Sequence, residues 1–153
     1  MIRQIGRRII AALLGIATLL TAPGVPVASP GTGRVSEADS LHRHAVERLA
    51  EGTLDARRLA LAELERASLL DPGSVQIWLD FGRLCLETGR RRQGRSCYER
   101  ARQAAPDDAA AYAALGTAWT WEWLSSFEDS ALAHAQESLA RATELAPGSS
   151  AAW

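Results

Sequence analysis

The chain has 153 residues, 47% of them apolar and 23% charged, with a formal charge of −1. That length suits one ordinary domain or a short repeat array, and the apolar fraction excludes wholesale disorder. The near-zero charge excludes a global bias towards nucleic acid or an acidic membrane, and the absence of Asn excludes an N-linked glycosylation acceptor.

Residues 1–28 are predicted to be an export signal. Arg3, Arg7 and Arg8 give a basic start, and no acid precedes Glu37. Ile9 to Leu20 is an unbroken run of 12 apolar or small residues. That fits the ~7–15 residues of a signal core and falls short of the ~20 that a spanning helix needs. Pro23 and Pro26 interrupt any extension. Small residues around Ala22 or Ala28 offer a cleavage site, which makes the mature protein periplasmic or secreted. The alternative is an uncut segment that anchors the chain in an inner membrane through residues 9–20. Residues 29–35, rich in Pro, Gly and Ser, read as a flexible linker.

From Ser36 onward the pattern is helical. Ser36 and Asp39 have capping-box spacing, and Ala38, Leu41, Ala45 and Leu49 recur on one helix face. Gly52 is a stop signal. Leu59, Ala60, Leu64, Ala67 and Leu70 form a second stripe that ends at Asp71-Pro72-Gly73. Ser74 is expected to cap a third helix, Val75 to Thr88, closed by Gly89. A fourth helix over about Arg91 to Ala104 stops at Pro106, and Asp107 is expected to cap a fifth. Ser125 or Ser126 separates it from a sixth that ends at Pro147-Gly148. No window alternates as a strand does, so the class is all-α.

Pro72 and Pro106 lie 34 residues apart, each closing a helix pair. Between them stand Trp78, Phe81, Gly82, Gly89, Tyr98, Ala101 and Pro106. Two small residues, Gly82 and Gly94, let antiparallel helices approach closely, and the aromatics fill wedges between neighbours. Residues 75–108 on this spacing resemble a tetratricopeptide repeat. A second copy over 109–149 has Tyr112, Leu115, Gly116 and Trp119, then Ala135, Leu139, Ala142 and Pro147. It departs from the pattern by about seven extra residues near 120–130, which include Trp121, Trp123 and Phe127. Residues 36–74 match in their second helix only and read as a divergent end repeat with a polar outer face. Residues 150–153 look like the start of a further, truncated repeat, with Trp153 in the place of Trp78 and Tyr112.

The resemblance implies a right-handed solenoid of about three antiparallel helix pairs, whose first helices line a concave binding side. On that side fall Gln76, Leu79, Asp80 and Arg83, then Ala110, Ala113, Ala114 and Thr117, with Trp121 near the edge. Members that clamp a peptide's terminal carboxylate use Asn and basic residues there. In this chain the second set is small and uncharged, and Asp80 would repel a carboxylate. The expected partner is therefore a protein or peptide that inserts an apolar segment, helical by its fit to an Ala-floored channel. The expected function is an exported interaction scaffold or assembly module with no catalytic activity. The alternative is the non-catalytic front portion of a larger exported enzyme or a membrane-tethered assembly factor.

Other chemistry-bearing residues read quietly. Cys85 takes a core position, whereas Cys97 is expected to point elsewhere, so the pair is expected to be buried and unbridged. His42, His44 and His134 are expected on solvent faces, with no metal ligand set and no cofactor site. Arg90-Arg91-Arg92 reads as a solvated turn, with an acidic protein partner as the alternative and nucleic acid disfavoured. Trp119 and Trp123 share a helix face as core residues, while Trp121 is either buried in the insertion or an exposed anchor. The last helix would leave Leu132, Ala135, Leu139, Ala142 and Leu145 partly bare. Either the chain is a piece of a longer protein or it associates through its C-terminal end.

Overall fold

The computed structural model describes residues 30–148. They form six α-helices: α1 (Pro30–Ala50), α2 (Leu54–Leu70), α3 (Val75–Glu87), α4 (Arg91–Ala104), α5 (Ala109–Ser126) and α6 (Asp129–Leu145). Consecutive helices pair as three antiparallel hairpins, α1 with α2, α3 with α4 and α5 with α6, and each hairpin stacks on the next. Among the described residues there is no strand.

Local chemistry sets the ends. Thr53 Oγ1 accepts from the Ala56 amide at the start of α2, and Asp108 accepts from the amides of Ala110 and Ala111 at the start of α5. The cap is thus Asp108 rather than the expected Asp107. Gly52 and Gly89 close the first two hairpins with φ of +71° and +79°, a region that L residues other than glycine enter at a cost.

Three expectations near the N-terminus and the second helix change. α1 begins at Pro30, so the linker expected over 29–35 is helical from residue 30. Proline at a first helical position has its φ already set and no amide to leave unbonded, which starts a helix despite the glycines around it. Ser36 consequently lies inside α1 and caps nothing; its Oγ donates to the Gly33 carbonyl. In α2 the buried stripe holds Leu61 and Leu64, while Leu59 is half exposed. The expected export signal and residues 150–153 lie outside the described residues.

Two glycines 34 residues apart fix how closely the helices of a hairpin approach. A Cβ on Gly82 would sit 2.5 Å from the Tyr98 ring, and one on Gly116 would sit 2.6 Å from Leu139 Cγ. The partner lies 16 residues downstream in one hairpin and 23 in the next, which locates the seven extra residues structurally. They lengthen α5 to 18 residues against 13 in α3, and α6 to 17 against 14 in α4, while the turn shortens by one. The insertion is therefore an extension of both helices beyond the repeat core.

The core runs between hairpins. Ala45, Ala60, Leu61, Leu64, Phe81, Leu84, Cys85 and Cys97 form one buried cluster. Tyr98, Leu115 and Ala118 form another across α4 and α5. α6 turns Ala131, Ala135, Ser138 and Ala142 inward, and Leu139 reaches Gly116. The stripe expected to lie bare is thus covered by α5 at Ala135, Leu139 and Ala142.

Candidate functional site

The first helices of the hairpins converge and the second helices splay. His42 of α1 hydrogen-bonds Asp80 of α3, and α3 packs directly on α5. An open groove separates α4 from α6 on the opposite side, floored by Tyr112, Leu115 and Trp119 of α5. The side bearing α1, α3 and α5 is accordingly the concave one.

On that side a groove of about 580 Å³ lies between α3 and α5. Tyr98 of α4 forms its floor, Ala114 and Thr117 one wall, Arg83 and Leu86 the other. Trp121 and Arg91 stand at its mouth, beside Glu87 and the Gly89 turn. Burial pushes the Tyr98 phenol up to about 12, so the floor is neutral at any physiological pH. Arg83 is paired with Asp80, so Arg91 against Glu87 leaves the rim close to neutral.

Of the residues expected on this side, Arg83, Ala114, Thr117 and Trp121 line the groove together. Leu79 packs beneath it against the Tyr98–Leu115 cluster. Ala110 is exposed and Ala113 half-buried, both on α5 but outside the groove. Gln76 and Asp80 belong to a separate polar cluster. Asp80 is buried and accepts from Gln76 Nε2 at 3.0 Å, His42 Nε2 at 2.8 Å and Arg83 Nη2 at 2.7 Å. Burial alone would raise its carboxyl, but the bonds from Gln76, His42 and Arg83 outweigh that and hold it below the ordinary 3.8. Its charge is spent inside the fold, so the expected repulsion of a partner's carboxylate does not arise. The same bond to Asp80 raises the Arg83 guanidinium.

His134 is exposed, as expected, with its ring centroid 4.7 Å from that of Trp119. Two further placements differ from expectation. His42 faces Asp80 rather than solvent, 2.8 Å from its carboxylate. Cys97 points into the same cluster as Cys85, since the hairpin interface is wide enough to bury it and its neighbour Tyr98 together. Its contact with Cys85, together with burial, pushes the Cys97 thiol well up. Both cysteines are unbridged.

Arg95 lies 4.1 Å over the Trp119 ring and 3.6 Å from Glu122, so it braces α4 against α5. Trp119 and Trp123 are half-buried and Trp121 is exposed, which resolves the open alternative in favour of the exposed side chain. Sequence reasoning missed Tyr98, Leu86, Glu87 and Arg91 as lining residues. Tyr98 was legible as a wedge between hairpins, but one edge of a wedge residue also faces the groove. Among the described residues, no three His, Cys, Asp or Glu side chains stand close enough to hold a metal ion. No helix among them is long and apolar enough to cross a membrane.

Residues 48–118 match the family described as tetratricopeptide repeat. No curated protein matches the sequence. Among solved structures, the TPR domain of Arabidopsis OM64 superposes with a TM-score of 0.64 at 17% identity, over 78% of this chain and 91% of that one. The first TPR of Spaghetti (RPAP3), bound to the HSP90 peptide SRMEEVD, gives 0.65 at 16% identity, over 77% and 86%. A thermophilic TPR protein of Thermus thermophilus gives 0.65 at 18% identity, over 75% and 60%. At these identities the likeness is one of fold.

Proposed function

We propose that this protein, whose residues 48–118 match tetratricopeptide repeats, is an exported scaffold that binds protein segments in its concave groove and catalyses nothing itself. The observation that carries the reading is the groove between α3 and α5: a neutral Tyr98 floor, a wall of Ala114 and Thr117, and exposed Trp121 at the mouth. Small side chains leave room for a partner's side chains, and an exposed Trp offers area at low entropic cost. Fold neighbours support the ligand class. The Spaghetti domain holds an HSP90 peptide, and YrrB is described as having an unusual peptide-binding site.

The groove suits an apolar helical segment. Leu86, Tyr98 and Ala114 present carbon surface, and neither wall carries a pair of Arg placed to clamp a carboxylate. The probe is a neutral amphipathic peptide of Leu, Ala and Gln, about 20 residues long so that it holds a helix. It is expected to bind the full chain and to lose about tenfold in affinity when a charge enters the channel through Thr117→Glu or Ala114→Glu. Helical circular dichroism should stay unchanged. Undiminished binding by both variants would remove the groove reading.

Export is supported by the basic start, the apolar run Ile9 to Leu20 and the missing early acids. Residues 1–35 fused to a reporter that works only outside the cytoplasm should give an active reporter. A silent fusion contradicts export.

A further inference from the structure

The last two turns of α5 and the residue that caps them carry an exposed apolar strip. The buried residues of this helix end at Ala118. Beyond it Trp121 is 53% exposed, Leu124 49% and Phe127 74%. These turns are held in place, since Arg95 grips both Trp119 and Glu122 and the Phe127 ring meets Trp123 edge-on at 6.2 Å. Phe127 also holds a left-handed backbone, φ 56°, where glycine would be relaxed. An extension built from aromatics, braced, and left in water is the pattern of a contact surface.

The neighbouring hairpin turn supplies the charge. Arg91 lines the same groove mouth as Trp121. Arg90, Arg91 and Arg92 are all exposed, and none has an ion-pair partner among the described residues. They sit at the start of α4, whose first turn has no acid, so the positive end of the helix repels them and the fold itself gains nothing from the run. The nearby acids are otherwise engaged. Glu122 faces Arg95, while Glu128 and Asp129 occupy the first positions of α6, where a helix start favours negative charge. Glu87 alone opposes the run from the groove side.

We propose that this hairpin-turn edge, outside the groove floor, is a second docking surface that takes an acidic protein segment: its carboxylates face Arg90–Arg92 and an apolar side chain lies on Leu124 and Phe127. Charge complementarity selects the partner, because an apolar patch beside an unmatched triple Arg rejects basic segments and rewards acidic ones. The surface meets the groove at Trp121 and Arg91 but does not depend on the groove reading. Arg90, Arg92, Leu124 and Phe127 lie outside the groove lining.

The test titrates the full chain with a fluorescent helical peptide of Glu, Leu and Ala, about 20 residues long, against the same peptide with Lys in place of Glu. The acidic peptide should bind, more weakly as salt rises, and the basic one should not. The double variant Arg90→Glu/Arg92→Glu should weaken the acidic peptide about tenfold and allow the basic one to bind. Leu124→Ser should weaken the acidic peptide alone, and Thr117→Glu should leave it unaffected, which separates this surface from the groove. Four results overturn the proposal: equal binding of the two peptides, no binding of the acidic one, acidic binding that survives the double Arg variant, and a dimer in sedimentation that Leu124→Ser abolishes. Tighter capture by phosphatidylglycerol vesicles than by the acidic peptide also overturns it, since the surface would then serve a membrane.

Discussion

His42 Nε2 of α1 lies 2.8 Å from Asp80 Oδ2 of α3, across 38 residues of sequence. This contact ties the divergent first hairpin to the regular second one along the concave side. Removing the imidazole leaves a buried carboxylate one donor short, so His42→Ala should cost about 1–3 kcal/mol in urea unfolding. The acid response follows from the lowered Asp80 carboxyl. A native carboxyl below its unfolded value stabilises fully above that value, and the stabilisation is lost as pH falls through the folded value. Urea midpoints should therefore drop between pH 6 and pH 3 by more in the native sequence than in Asp80→Asn. An equal drop would place the acid sensitivity elsewhere.

Gly82 and Gly116 occupy the same position in successive repeats, and each touches a large side chain of its partner helix. A methyl group at either site forces the Tyr98 ring or Leu139 to move, so Gly82→Ala and Gly116→Ala should each cost about 1–3 kcal/mol. Gly89→Ala should cost about 1 kcal/mol for a different reason, its positive φ in otherwise open space. Joining Gly82→Ala with Tyr98→Leu should recover part of the first penalty and none of the last. Additive costs would refute the close-approach argument.

Arg95 and Arg91 are four residues apart in α4 and have opposite roles. Arg95→Ala loses the Trp119 stack and the Glu122 pair, and should cost about 1 kcal/mol with a red shift of tryptophan emission. Arg91→Ala removes a cation from a helix start and should be neutral or stabilising by about 0.3–1 kcal/mol. Equal losses would mean that Arg91 is braced within the fold, against the reading of an unmatched run.

Cys85 and Cys97 lie in the central cluster, and the Cys97 thiol is pushed well up by its contact with Cys85 and by burial. A thiol-specific disulfide reagent should find neither in the native chain, and both should react at the rate at which the chain opens. Fast labelling of either in native buffer would show that the core between the first two hairpins is open.

Helix number, hairpin pairing and the 34-residue period were legible because glycine, proline and aromatic positions each answer a steric demand that repeats. The seven extra residues were legible as a count. So was a fifth helix reaching Ser125 or Ser126, with Trp119 and Trp123 on one face; the lengthening of α6 was not, because no residue pattern marks its start. Asp80 and His42 were misplaced for one reason. A charged residue on a first-helix face reads as groove-lining, whereas its burial depends on what the neighbouring hairpin brings, and His42 lies in the hairpin whose pattern is weakest. Tyr98 was read only as a wedge, since periodicity marks the face of a residue that packs and is blind to the edge it leaves open. The extension of α1 to Pro30 was not legible because proline at a helix start and proline in a linker have the same local signature.

The central claim is that the groove between α3 and α5 receives a protein segment. Amide shift mapping of the full chain with the neutral Leu-Ala-Gln helical peptide tests it most directly. The account predicts shifts at Arg83, Leu86, Tyr98, Ala114, Thr117 and Trp121, the residues of one groove contributed by α3, α4 and α5. Shifts confined to the opposite groove between α4 and α6, at Glu99, His134 and Arg141, would contradict it.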